Sequence, residues 1–214
     1  DTVIALASTI YFRAKWGSEF SKSATTDGVF HAPDGDVTHK FMHETMESTY
    51  YAADNFAAVG KYLEGSGTMW FLLPDEGVTP EALLSDGSAV DFFLSPESAE
   101  SKYMTIDLSV PKFDVSADTD LSGALRALGV TDVFDAGKAD FSPLTDKADA
   151  IFLSQAKHSA RVTVVAAAYT VMVACGASLP PDERVEFTLD RPFLFAVTGE
   201  SGEILFAGIV NTPA

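Results

Sequence analysis

An α+β fold is predicted from three observations: segments whose apolar residues alternate with period two, two segments with helix starts and stops, and no feature that would divide the chain. There is no internal repeat, no low-complexity tract and no linker rich in Pro, Gly or Ser, so a single mixed domain is expected. With 214 residues and 47% apolar content the chain can bury a substantial core.

The elements follow in order. Val3 to Phe12 is a nearly continuous apolar run, the pattern of a strand buried on both faces, which is not expected at a sheet edge. "KYLEGSGTMWFLLPDEG" reads as two strands joined by a turn at Glu64 to Gly67, the second stopped by Pro74. Thr79, Pro80 and Glu81 start a helix continued by Leu83 and Leu84. In "YMTIDLSVPKF" Met104, Ile106, Leu108 and Val110 alternate with polar residues, giving a strand with one buried face that ends near Pro111. A second helix is expected with Asp118 or Thr119 as cap, Leu121, Ala124, Leu125 and Leu128 on one face, and Gly129 as its stop. "RVEFTLDRPFLFAVTGESGEILFAGIV" reads as strands with a turn at Gly199 to Gly202.

Charge narrows the choice of partner. Lys and Arg total 14 against 31 Asp and Glu, a formal charge of -17 that opposes binding to nucleic acid or anionic lipid. Cys175 stands alone, so neither an intrachain disulfide nor a multi-thiolate zinc site is expected. The opening "DTVIALASTIYF" lacks the charged start and the cleavage site of a signal peptide, and reads as a strand in progress. His39 and His43, with Glu44, have helical metal-pair spacing, but "VTHKFMHETM" is strand-like, and two ordinary surface histidines are expected with no metal.

One tract stands out. From Val162 the chain carries no charge until Asp182, yet Thr163, Tyr169, Thr170, Cys175, Gly176 and Ser178 dilute it too much for a membrane helix. Gly176 to Pro180 is a poor nucleophile elbow, because Pro180 replaces the second glycine; a hydrolase using Ser178 and His158 is the weakest reading.

"FTLDRPFLFAV" (Phe187 to Val197) followed by "GEILFAGIVNTPA" resembles the C-terminal signature of the serpins, a family of protease inhibitors and non-inhibitory relatives. Further resemblances occur in serpin order at "IYFRAKW", "FLLPDEG", "VPKFDVSADTDLSGALRALGVTDVF" and "ADFSPLT", so the sequence is identified as the C-terminal portion of a serpin fold, incomplete on its N-terminal side. The resemblance implies a reactive loop at about residues 165–181, in which Ala166, Ala168, Thr170, Met172, Ala174 and Gly176 alternate with Ala167, Tyr169, Val171, Val173 and Cys175.

It places the scissile bond between Ala177 and Ser178, with Cys175 and Gly176 as alternatives. His158 matches the family's shutter histidine, Trp16 its breach tryptophan, and Ser8 stands where serpins have a buried asparagine. The acidic, glycine-containing hinge of inhibitory serpins is missing, since Val164 passes directly to Val165 and Ala166; a piece left out of the sequence and an evolved deletion both explain this.

The implied function is suicide inhibition of a serine protease with small apolar preference, elastase-like or subtilisin-like, by a monomeric, extracellular protein. No enzyme activity, cofactor, nucleic acid or membrane partner is expected. The alternative is a non-inhibitory binding or structural serpin.

Overall fold

A computed structural model describes residues 4–10, 15–65, 67–144, 151–164 and 183–213. Its described residues fall into two units, one within residues 1–12 and 116–162, the other within 13–115 and 163–214.

The larger unit is built on strands β2 (Thr26–Ala32), β3 (Gly35–Ala52), β4 (Phe56–Leu63), β5 (Gly67–Pro74), β6 (Glu100–Pro111), β9 (Arg184–Thr188), β10 (Phe193–Thr198) and β11 (Ile204–Val210). Their order is β11-β10-β5-β4-β3-β6-β9, with β2 paired to β3. The β4–β5 hairpin turns where Glu64 to Gly67 predicted, and β10–β11 turns at Gly199, whose carbonyl accepts from Gly202 N–H at 3.1 Å.

Both faces of the sheet are covered along β10, which explains why all six of its residues are buried. On one face Phe56, Ala58, Leu72, Leu194 and Ala196 pack with Leu83 of α1 (Pro80–Ser85) and Ala89, Phe92 and Phe93 of α2 (Ser88–Leu94). Elsewhere in the unit, Phe193 gathers Phe30, Phe71 and Phe113 at ring-centroid distances of 6.4, 6.4 and 5.6 Å. Such edge-on pairs align each ring's positive rim with its neighbour's negative face. Helix α1 starts as predicted, Thr79 Oγ1 accepting from Ala82 N–H at 3.2 Å. In β6, Ile106, Leu108 and Val110 are buried as the alternation requires.

The smaller unit contains β1 (Ile4–Ile10), most of β8 (Leu153–Val164), the end of β7 (Phe113–Asp120) and α3 (Ser122–Ala127), with strand order β1-β8-β7. Phe134, Leu153 and Ala156 form its core, and Ile4, Leu121, Leu125, Val133 and Phe141 pack on them.

Among the described residues β1 ends the order β1-β8-β7 and Ala5 to Thr9 are exposed, with Leu6 54% accessible; the neighbour that a buried opening strand needs is not among them. Two sequence expectations are corrected here. Asp118 and Thr119 do not cap α3, because β7 runs on through Asp120. Instead Asp120 Oδ1 accepts from Ser122 N–H at 2.9 Å, while Asp118 accepts from Ser159 across to β8. Gly129 does close this helix, at φ +90°. Leu128, predicted on its apolar face, is 80% exposed.

Candidate loop, its feet and its entry

The uncharged tract connects the end of β8 at Val164 to the start of β9 at Arg184. Residues Ala166 to Ser178, including the proposed bond Ala177–Ser178, lie outside the described residues. What the structure does describe is the pair of strands at its two ends.

The distal foot is fastened by charge. Arg184 makes a two-pronged ion pair with Asp107 of β6, one prong being Nη2 to Oδ1 at 2.6 Å. Thr45 of β3 donates to the same carboxylate oxygen at 2.6 Å. Hydrogen bonds from Arg184, and then from Thr45, hold the Asp107 carboxyl below the ordinary carboxylate range. Beside them Lys102 pairs with Glu183. The backbone adds a parallel ladder from Thr105–Arg184 to Ser109–Thr188.

The proximal foot is β8. In the smaller unit β1 and β8 run parallel, and their register sets Ser8 opposite His158. Ser8 and His158, to which the serpin resemblance assigns shutter positions, are thus register partners. Ser8 is exposed and His158 half-buried among the described residues.

Trp16, in the larger unit, is buried at 9% exposure and forms a bridge to Leu63 of β4. Its ring meets Phe20 edge-on at 5.4 Å and Phe71 at 6.4 Å. Gly17 N–H to Tyr62 C=O at 2.9 Å and Glu64 N–H to Lys15 C=O at 2.8 Å hold the segment against the end of β4. Sequence reasoning missed the group beneath it. Lys61 of β4 is 2% exposed and is bound by Glu44 of β3 and by Ser18 Oγ at 2.8 Å. Burial pushes its pKa below the usual lysine value, with Glu44 working in the opposite direction. Val59, Lys61 and Leu63 share one face of β4, and it is the packing of the sheet that buries that face.

His43 lies in β3, not on a helix. It bridges two hydroxyls, Nε2 to Thr26 Oγ1 and Nδ1 to Ser109 Oγ, each at 2.8 Å. It is thus a cross-strand tie. Among the described residues no group of three His, Cys, Asp or Glu could hold a metal. No helix among them is long and apolar enough to cross a membrane.

A model of the family described as "Serpin (serine protease inhibitor)" matches residues 1–213. The chain belongs to the serpin family. Serpin-Z2A of Oryza sativa subsp. japonica is 32% identical over 100% of this chain and 60% of its own length. Plasminogen activator inhibitor 1 of Neovison vison is 30% identical over 99% of this chain and 55% of its own.

Among solved structures, the thermophilic serpin tengpin in its native state superposes with a TM-score of 0.82 at 25% identity, over 97% of this chain and 55% of that one. A thyroxine-binding globulin complexed with thyroxine gives 0.79 at 27% identity, over 100% and 57%. This serpin chain therefore spans about 55 to 60% of the length of the curated relatives named here. The mixed α+β serpin fold expected from the sequence is the fold observed.

Proposed function

We propose that the whole protein inhibits a serine protease as a suicide substrate, with residues of about 165–181 as the bait. The observation that carries this reading is the parallel β1–β8 ladder, because the uncharged tract continues directly from β8 and the ladder borders the place where a new strand would enter. Loop insertion into a β-sheet is the established serpin form of strand addition, and the step is carried over from the family.

In that step the protease serine Oγ attacks the carbonyl carbon of Ala177. The bond to Ser178 breaks, and the Ser178 amine leaves with the proton. Ala177 remains joined to the protease as an ester. The freed strand then enters the sheet and carries the protease with it before water can cleave the ester. The tract is suited to this because an unpaired charge would cost several kcal/mol on burial. Small side chains such as Ala166 and Ala168 also let the strand enter without overpacking its neighbours.

A small residue at position 177 fits an elastase-like or subtilisin-like pocket and opposes a trypsin-like one, which requires Lys or Arg. A monomer acting outside the cytoplasm is the setting this reading implies. Serpin-type inhibition makes the protein a consumed substrate of proteases, with no turnover of its own. The test is to mix the protein with pancreatic-type elastase and run a denaturing gel: an adduct that survives boiling is expected, and cleaved protein alone refutes the reading for that protease.

One observation favours a second reading, a binding or structural serpin cut without trapping. The direct passage from Val164 through Val165 to Ala166 lacks the glycine-containing hinge, and one structural relative was solved holding thyroxine. That reading expects cleavage with no adduct and no rise in melting temperature.

A further inference from the structure

The ladder between β3 and β4 is short. It runs only from Tyr50–Val59 to Ala52–Ala57, while β4 continues to Leu63, still paired on its other side to β5. Continued in register, that ladder would set Ser48 opposite Lys61; instead Lys61 pairs with Glu44, about 13 Å further along β3 at about 3.3 Å per residue. The two strands therefore part beyond Val59.

Residues 15–20 enter the fork. Trp16 bridges Leu63, Gly17 N–H donates to Tyr62 C=O, and Glu64 N–H donates to Lys15 C=O, on the side of β4 that β3 has left. Residues 17–20 have no helix or strand of their own, yet Trp16 and Phe20 are buried. What seats them is the one buried charge among the described residues, the Lys61 ammonium. On the sheet side it is paired to Glu44, itself 15% exposed. On the other side it donates to Ser18 Oγ at 2.8 Å and stands 4.8 Å from the Phe20 ring centroid and 5.6 Å from that of Trp16. A buried ammonium deprived of such partners is costly, so segment and sheet are joined through it.

We propose that residues 15–20 are a strap, closed over the end of β4 by Lys61, which opens as a unit of its own while the β4–β5 ladder beneath stays paired. An irregular backbone gives the strap little grip, and its side-chain contacts converge on one ammonium, so they are lost together. Opening bares the Trp16 ring and frees the Tyr62 carbonyl and the Glu64 amide, a short unpaired edge of β4. All of these residues lie in the larger unit, so the strap acts in the same way under either reading of the bait.

The test is native-state amide hydrogen exchange on the whole protein, read at Gly17 and Glu64 and along the β4–β5 ladder. In the wild type the two strap amides are expected to share one protection factor, lower than the ladder's and nearly independent of dilute urea, because a small opening exposes little surface. Lys61→Met is expected to lower that factor roughly tenfold or more, since a buried pair is broken. Ser18→Ala cuts only the strap's own bond to the ammonium and is expected to lower it about tenfold, which keeps the test available if Lys61→Met does not fold. Leu72→Ala separates local from global opening, because Leu72 packs towards α1 and α2 on the face opposite its neighbour Phe71, which meets Trp16. It is expected to lower ladder protection roughly thirtyfold or more and to leave Gly17 and Glu64 unchanged.

Strap amides that follow the ladder in urea and in Leu72→Ala open only with the whole sheet, and that result overturns the inference. So does a wild type in which Gly17 and Glu64 are unprotected, since the strap is then not closed. Unchanged protection in both Lys61→Met and Ser18→Ala removes Lys61 as the closure and overturns it equally.

Discussion

Replacing Phe193 by alanine tests whether the C-terminal signature is there for packing. The side chain is 0% exposed and its ring meets those of Phe30, Phe71 and Phe113. Phe113 also lies 5.3 Å from Phe195, so the ring cluster extends along β10. Deleting a buried phenylalanine costs about 3–5 kcal/mol, from lost transfer energy and from the cavity left behind. The upper half of that range applies, because the rings around the site sit on separate strands, Phe30 on β2, Phe71 on β5 and Phe113 on β7, each held by its own backbone pairing, and cannot close over it.

For a chain of this size each kcal/mol moves the melting temperature by about 2–4 °C, so a fall of roughly 8–20 °C is expected. Both tryptophans, Trp16 and Trp70, belong to the larger unit, and their fluorescence during heating follows that unit directly. Leu128→Ala, at an 80% exposed position, is the control and leaves the melting curve in place. A drop of under about 3 °C for Phe193→Ala would refute the packing argument, since it would mean less than roughly 1.5 kcal/mol rests on the ring.

Gly67 has φ +97°, and a Cβ there would stand 1.9 Å from the carbonyl oxygen of Thr198. Gly67→Ala is therefore expected to lose at least about 2 kcal/mol in urea unfolding, and a neutral result would refute the contact between β5 and the end of β10. Asp107 is a carboxyl whose pKa is lowered by Arg184 and Thr45, so its contribution is full above the ordinary carboxylate range and is lost as pH falls through the lowered value. The melting temperatures of wild type and Asp107→Asn should converge on acidification; a difference independent of pH contradicts the assignment. Under the inhibitory reading a single cut within residues 165–182 raises the melting temperature, measured by calorimetry on the clipped protein, and an unchanged value removes loop insertion from the account.

Much of the fold was legible because its signals are local. Ile106, Leu108 and Val110 alternate, Glu64 to Gly67 turn, and Thr79 caps, each by a rule that needs only neighbours in sequence. The misreadings arose where a long-range partner decides. Asp118 could cap a helix or bond across a sheet, and Ser159 on β8 settled the matter. Lys61 was hidden for the same reason, since a lysine between Gly60 and Tyr62 looks solvated until β4 is known to bury that face.

The distribution of charge around the candidate loop is the physical link between fold and proposed activity. The tract from Val162 to Pro181 carries no charge at all, whereas the next charged residues but one, Glu183 and Arg184, are both paired to β6. A segment that must pass from water into a sheet is disfavoured by every ionised group it carries, and a strand that must stay behind is favoured by each ion pair that would have to be broken. Swapping the two patterns should swap the outcomes: a charge placed at Ala168 would hinder entry of the cut strand, while neutralising Asp107 would loosen β9 without touching the bait. Under the inhibitory reading, the moving part and its anchor are kept separate along one continuous chain.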